Sequence, residues 1–151
     1  MRNNKVLFLF YMLLNLSYNE PLIKNKVNSL IGSPFSLKER WCKKGVGSPR
    51  LLIEETSINI HNLLVLDQNL NFCNIELRPK GIIIRFRSLL ETYGLIIPYY
   101  KLKLYKGKAQ QYSVYNDSSF IKIQAVKKET HLFFKKITKE KTLISSENFN
   151  L

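Results

Sequence analysis

Residues 71–87 read NFCNIELRPKGIIIRFR, two apolar alternating runs separated by Arg78-Pro79-Lys80-Gly81. Proline suits the second position of a β-turn, so the segment predicts a β-hairpin. In that hairpin three apolar pairs face each other: Leu77 with Ile82, Ile75 with Ile84, and Cys73 with Phe86. The opposite face carries Asn74, Glu76, Ile83 and Arg85, with Arg87 next in line. A slip of one residue would mix the two faces, so the register is well specified.

The period of two continues on both sides of this hairpin and predicts an antiparallel sheet. Further strands are expected at 93–97, 101–105, 112–115 and 120–125, with one or two more from 51–54 and 58–66. The spacing changes to that of a helix after residue 126, which predicts an amphipathic helix over 127–141. Upstream, Pro21 begins a short predicted helix over 20–32, and a basic loop rich in glycine and proline follows to residue 50.

The chain of 151 residues fits one domain with short extensions. We divide it into an apolar extension (1–19), a short helix with a basic loop (20–49), a β-domain with a closing helix (50–141) and a flexible tail (142–151). The fold class is therefore mainly β, or α+β: a small antiparallel split barrel of about seven strands closed by a C-terminal amphipathic helix.

The chain is strongly basic, with 24 lysines and arginines against 11 acidic residues and a formal charge of +13. Such a charge is usual in proteins that meet nucleic acid, anionic lipid or an acidic protein partner. A coding bias explains it equally well, because asparagine, lysine, isoleucine and leucine are abundant throughout. The partner therefore stays open among an anionic lipid surface, a protein and a nucleic acid.

An uninterrupted apolar run, residues 6–14, follows Arg2 and Lys5 near the N-terminus. It has the form of a short export signal, but it is too short to span a bilayer, which takes about 20 residues. Residues 6–16 then form either a weak signal or membrane-surface anchor, or a packed or dispensable extension. We expect a cytoplasmic protein, with membrane association through residues 6–16 as the alternative.

Catalysis is not indicated by the sequence. Cys42 and Cys73 are the only cysteines and His61 and His131 the only histidines, and neither pair has the spacing of a metal site. Cys73 falls on the apolar face of the hairpin and is expected to be a buried thiol. Motifs for nucleophilic hydrolases, zinc proteases and nucleotide binding do not occur. The sequence predicts no catalytic residue, no cofactor and no metal.

A charged sheet face is the candidate site. Alternation places Arg85 and Arg87, and likewise Lys101 and Lys103, on the side opposite the apolar residues. If their strands are neighbours, these four cations form one anion-binding strip. Tyr99, Tyr100 and Tyr105 are nearby in sequence and are candidate stacking residues. The alternative is an ordinary solvated face whose lysines protect edge strands from aggregation.

Two stretches of the chain are similar to bacterial pleckstrin-homology-like (PH-like) and GRAM-like domains. They are Ile75-Glu76-Leu77-Arg78-Pro79-Lys80-Gly81-Ile82 and Ile96-Ile97-Pro98-Tyr99-Tyr100-Lys101-Leu102. The resemblance covers about residues 50–141 and implies a split barrel plugged by its C-terminal helix. It implies a scaffold with many binding uses and no catalytic residues.

The function expected from the sequence is that of a non-enzymatic binding or scaffolding module of PH-like type, for an anionic surface or a protein partner. One alternative is a small-barrel nucleic-acid-binding protein that uses the basic face and its tyrosines. Another is a membrane-anchored or exported protein that uses residues 6–16.

Overall fold

The computed structural model describes residues 12–67, 71–108, 110–117 and 119–149. In these residues eight strands form one antiparallel sheet and four helices lie around it, so the fold is α+β and mainly β. The strands are β1 (Leu13–Asn15), β2 (Leu51–Thr56), β3 (Phe72–Arg78), β4 (Gly81–Ser88), β5 (Glu91–Pro98), β6 (Leu102–Lys106), β7 (Gln111–Asn116) and β8 (Ser119–Gln124). The helices are α1 (Pro21–Ile31), α2 (Leu37–Cys42), α3 (Ile58–Leu64) and α4 (Lys128–Phe149).

The sheet consists of two meanders in the order β1-β5-β4-β3-β2-β8-β7-β6. Among the described residues its two ends do not pair, so the sheet is open, and the expectation that it closes into a barrel was wrong. Strands β2 to β5 form one meander and β6 to β8 form the other. The two are joined where β2 pairs with β8, across an irregularity between Ile53 and Glu55. Irregularities of this kind bend a strand, so β2 takes part in both halves of the sheet.

The predicted register of the β3–β4 hairpin is confirmed. Cys73 pairs with Phe86, Ile75 with Ile84 and Leu77 with Ile82. All six side chains are buried in the main core, to which every strand from β2 to β8 contributes. Helix α4 covers this core with Phe133, Phe134 and Ile137, and the ring of Tyr112 on β7 stacks on Phe134 with centroids 4.2 Å apart.

A second, smaller core lies on the outer face of the sheet. Helix α1 places Val27 and Ile31 there against Ile83 of β4 and Ile96 of β5, and Leu14 of β1 completes the cluster. The short predicted helix over 20–32 is thus confirmed, and it covers one part of the outer face. Ile83 is buried for this reason, although the hairpin register alone assigns it to the polar side.

Several local expectations were wrong. The expected strand over 58–66 is instead helix α3, because Ile60 and Leu64, four residues apart, are both buried on one face. The expected loop over 32–50 contains helix α2, which Ser36 and Glu39 begin with a capping box. Helix α4 continues to Phe149, through most of the segment expected to be a tail. The sheet also includes a strand that was not expected, β1, which comes from the apolar extension.

Of the segment considered as a signal or anchor, residues 6–16, the first part (6–11) lies outside the described residues. Its last part pairs as β1 with β5, where Leu14 lies opposite Gly94 and is buried. Within the described part of the chain, no helix has both the length and the apolar character needed to cross a membrane.

We expect Gly81→Ala to destabilise the fold by about 1–3 kcal/mol, because the site has no room for a methyl group. A Cβ at Gly81 would lie 2.4 Å from Cγ2 of Ile31 and 2.5 Å from the carbonyl oxygen of Ile97. Gly47→Ala is the matched control, since a Cβ there has no neighbour within 4 Å. Urea unfolding of both variants measures the difference. Equal stability of the two variants would contradict this packing.

The two thiols should differ sharply in reactivity. Cys42 is exposed, whereas Cys73 is buried and burial raises its pKa to about 12. A thiol with so high a pKa stays protonated at mildly alkaline pH, and the thiolate is the reactive form. We expect a thiol reagent to label Cys42 rapidly in the folded protein and Cys73 only in denaturant. Cys42→Ser should therefore remove the rapid phase. A rapid phase that persists would show that Cys73 is accessible.

Candidate anion-binding groove

An open groove of about 660 Å³ lies on the outer face of the sheet and is lined by three arginines, Arg50, Arg85 and Arg87. We call it the arginine groove. Arg85 and Arg87 are two residues apart on β4, so both side chains lie on the same face. Arg85 lies opposite Asn74 of β3, and Arg87 lies opposite Thr92 of β5. The groove therefore spans the centre of the first meander.

Arg50 joins this groove because β2 pairs with β3. Leu51 lies opposite Cys73 on the inner face, which places the preceding residue on the outer face. The guanidinium carbon of Arg50 is 3.8 Å from the centroid of the Phe72 ring, a stacked geometry that favours a cation. The contact holds Arg50 at the wall of the groove without neutralising its charge.

The carboxylates near the groove do not balance its cations. Glu76 contacts Arg85 with one oxygen at 3.4 Å, while its other oxygen accepts a hydrogen bond from Nε of Arg78. One carboxylate is thus shared between two guanidinium groups. Asp67 also lines the groove. Arg87 is exposed and has no ion-pair partner among the described residues.

Arg78 differs from the groove arginines because it is buried and structural. Its Nη1 donates to the side-chain oxygen of Asn28 at 3.1 Å and to the carbonyl oxygen of Gly32 at 3.0 Å. These bonds connect the C-terminal end of α1 to β3. Arg78 is therefore committed to holding α1 on the sheet, and it leaves Arg85 with only part of the Glu76 carboxylate.

A second depression, of about 310 Å³, lies on the other side of Arg85. It is lined by residues 16–20, by α1 and by Arg78. Because Arg85 borders both depressions, its side chain stands between the region covered by α1 and the open arginine groove. A guanidinium group in that position has five donors, in a planar arrangement that matches a phosphate or carboxylate group.

The four candidate cations do not form one strip, because their strands are not neighbours in the sheet. Four strands, β3, β2, β8 and β7, stand between β4 and β6 in the sheet. Lys101 and Lys103 lie instead at the edge strand β6, where Nζ of Lys101 is 3.3 Å from a carboxylate oxygen of Asp117. Arg85 and Arg87 therefore share a groove with Arg50, and the two lysines do not belong to it.

Lys103 lies near a lysine of helix α4 rather than near the groove arginines. Nζ of Lys141 on α4 donates to the carbonyl oxygen of Leu102, next to Lys103 in the chain. Partial burial, and then the charge of Lys103, lower the pKa of Lys141. The lysines near β6 thus form a separate basic region beside α4.

The three predicted stacking tyrosines are not equivalent. Tyr99 is buried, and its hydroxyl donates to the carbonyl oxygen of Arg78 at 3.2 Å, so it has no ring face available to a base. Burial raises its pKa strongly. Tyr100 is exposed in the β5–β6 turn, and Tyr105 is exposed on β6 with its ring edge against Tyr115. Only Tyr100 and Tyr105 remain candidates.

Arg50 is the groove residue that the sequence reasoning missed. Its position before β2 places it in the predicted basic loop, and no nearby sequence feature shows that Arg50 lies close to Arg85 or Arg87. The alternation of buried Leu51 and Ile53 does indicate that residue 50 points outward. The alternation therefore shows that Arg50 lies on the outer face of the sheet, but not which residues of other strands lie beside it.

Comparison with models of protein families and with curated proteins found no match to this chain, and comparison with solved structures found none either.

Replacement of Arg78 should affect stability, and replacement of Arg87 should not. We expect Arg78→Met to destabilise the fold by about 3 kcal/mol, because the carbonyl of Gly32, the side-chain oxygen of Asn28 and one oxygen of Glu76 lose their charged donor. Arg87→Met removes an exposed cation and should change stability by less than about 0.5 kcal/mol. Thermal unfolding of the two variants checks both values. A large loss in the Arg87 variant would show that this side chain supports the fold.

Proposed function

We propose that this chain is a non-enzymatic binding module of PH-like type that holds an anionic group of its partner in the arginine groove. The observation that carries the proposal is the convergence of Arg50, Arg85 and Arg87 around one open groove of about 660 Å³. Three guanidinium groups around one open space favour a ligand with phosphate or carboxylate oxygens.

The PH-like assignment is supported by the order of the strands. Without β1, the sheet is a four-stranded meander joined to a three-stranded meander through β2 and β8, and a long helix follows the last strand. Seven antiparallel strands followed by one C-terminal helix is the order that the resemblance implies for residues 50–141. Within residues 50–141 the described chain departs from that pattern in two respects: α3 lies between β2 and β3, and the two ends of the sheet do not pair to close a barrel.

A binding role is favoured over catalysis by what surrounds the groove. The groove offers guanidinium groups, amide side chains, the ring of Phe72 and the carboxylate of Asp67. The guanidinium and amide groups bind and orient an anion. His61 is exposed on α3 and His131 contacts the hydroxyl of Tyr112 at 3.0 Å, and neither lines the groove. The groove therefore combines anion recognition with no histidine base, which fits a binding module.

Titration with pyrophosphate at constant ionic strength, followed by nitrogen-15 NMR, tests the proposal. We expect shifts in the Nε–H signals of Arg50, Arg85 and Arg87 and in the amide of Asn74. The double variant Arg85→Ala with Arg87→Ala should weaken binding about a hundredfold or more, because each charged hydrogen bond contributes about 1.5–3 kcal/mol.

The control is Lys101→Ala with Lys103→Ala, which removes the same charge at β6. Equal weakening in both double variants would indicate nonspecific attraction and refute the groove. Titration with a single-stranded oligonucleotide is a second experiment, which tests the nucleic-acid alternative. If the oligonucleotide bound and pyrophosphate did not, with affinity lost in the lysine variant, the nucleic-acid alternative would replace this proposal.

A further inference from the structure

Helix α2 presents two large apolar side chains to solvent. Leu37 is 84% exposed and Trp41 is 85% exposed. They are four residues apart and therefore lie on the same face of the helix. No residue of α2 is buried, so this helix contributes nothing to either core. An exposed apolar pair on an ordered helix is typical of a surface that contacts a partner.

Polar contacts define the start of α2, and one ion pair connects its C-terminal end to α4. The hydroxyl of Ser36 accepts from the amide of Glu39 at 3.2 Å, and Nε of Arg40 donates to the carbonyl oxygen of Phe35 at 3.0 Å. Nζ of Lys43 lies 2.9 Å from a carboxylate oxygen of Glu140 on α4. The ion pair joins the end of α2 to α4, while Leu37 and Trp41 stay outside the core.

Several basic residues lie on α2 or directly next to it. Lys38, Arg40 and Lys44 are exposed, and Lys136 of α4 donates to the carbonyl oxygen of Gly45 at 3.0 Å. With Lys43, five basic residues stand against the two nearby carboxylates, of Glu39 and Glu140. The charge that remains is positive, and it complements a surface of negative charge rather than a second copy of this basic chain.

We propose that α2 docks on an anionic lipid bilayer surface, with Leu37 and Trp41 entering the boundary between headgroups and acyl chains. Tryptophan favours that boundary because its ring is amphipathic, and basic residues near it are attracted by anionic headgroups. The surface consists of Leu37, Lys38, Trp41 and Lys44, and we call it the α2 surface. It is separate from the arginine groove and does not depend on the function proposed for that groove.

The fluorescence of Trp41 tests this proposal directly, because it is the only tryptophan in the chain. The full chain is mixed with vesicles of phosphatidylcholine alone or of phosphatidylcholine with phosphatidylserine. We expect a blue shift of the emission and sedimentation of the protein only with the anionic vesicles. Both effects should weaken at high salt, because the attraction to lipid charge is screened.

Two pairs of variants separate the apolar and the charged contributions. Leu37→Gln should reduce vesicle binding about tenfold, whereas Leu90→Gln should not reduce it. Leu90 is equally exposed, at 89%, but lies in the β4–β5 turn. Lys38→Gln with Lys44→Gln should weaken binding about fivefold per lysine, and Lys106→Gln with Lys108→Gln should weaken it less although the same charge is lost.

Three results would overturn the proposal. Sedimentation with anionic vesicles without any change in Trp41 emission would show that another segment, such as residues 6–16, binds the lipid. A blue shift that grows with protein concentration in the absence of lipid would identify a second copy as the occupant. No binding to either vesicle would exclude a lipid partner. None of these results bears on pyrophosphate binding in the arginine groove.

Discussion

The pairing of β3 with β4 constrains the rest of this structure, because it decides which side chains face inward. Residues alternate across a strand, so the contact of Cys73 with Phe86 places Asn74 and Arg85 on the outer face. A shift of one residue would turn Arg85 and Glu76 into the core, where unpaired charge is strongly unfavourable. The same pairing therefore builds the core and places two of the three arginines of the groove.

One part of the outer face of the sheet is covered by helix α1, and the other part is open and forms the arginine groove. Helix α1 covers Ile83 and Ile96, and Arg78 fastens its end through Asn28 and Gly32. Beyond the edge of α1, the face is open and basic. Arg85 lies at that border, since it lines both the depression beside α1 and the arginine groove. A ligand in the groove would thus contact a residue whose position depends on α1.

Much of the fold was predictable, since its signals are local. The hairpin register, the strands around it, helix α1 and the existence of α4 all followed from the period of the apolar residues. The failures have physical reasons. Residues 58–64 carry β-favouring isoleucines, yet burial of Ile60 and Leu64 on one side made them a helix. Helix α2 is short, has no buried residue and carries only one apolar pair at helical spacing, although its capping box was visible in the sequence as Ser36 and Glu39.

The sequence by itself determined which residues point inward and which point outward, because alternation and helical spacing are properties of neighbouring residues. It thereby placed Arg85, Arg87 and Lys103 outside the core. Only the tertiary structure decided which outward residues meet, because the order of strands in a sheet depends on long-range pairing that leaves no local pattern. That order brought Arg50 to Arg85 and Arg87, left Lys101 and Lys103 at the edge beside α4, and enclosed Tyr99 in the core.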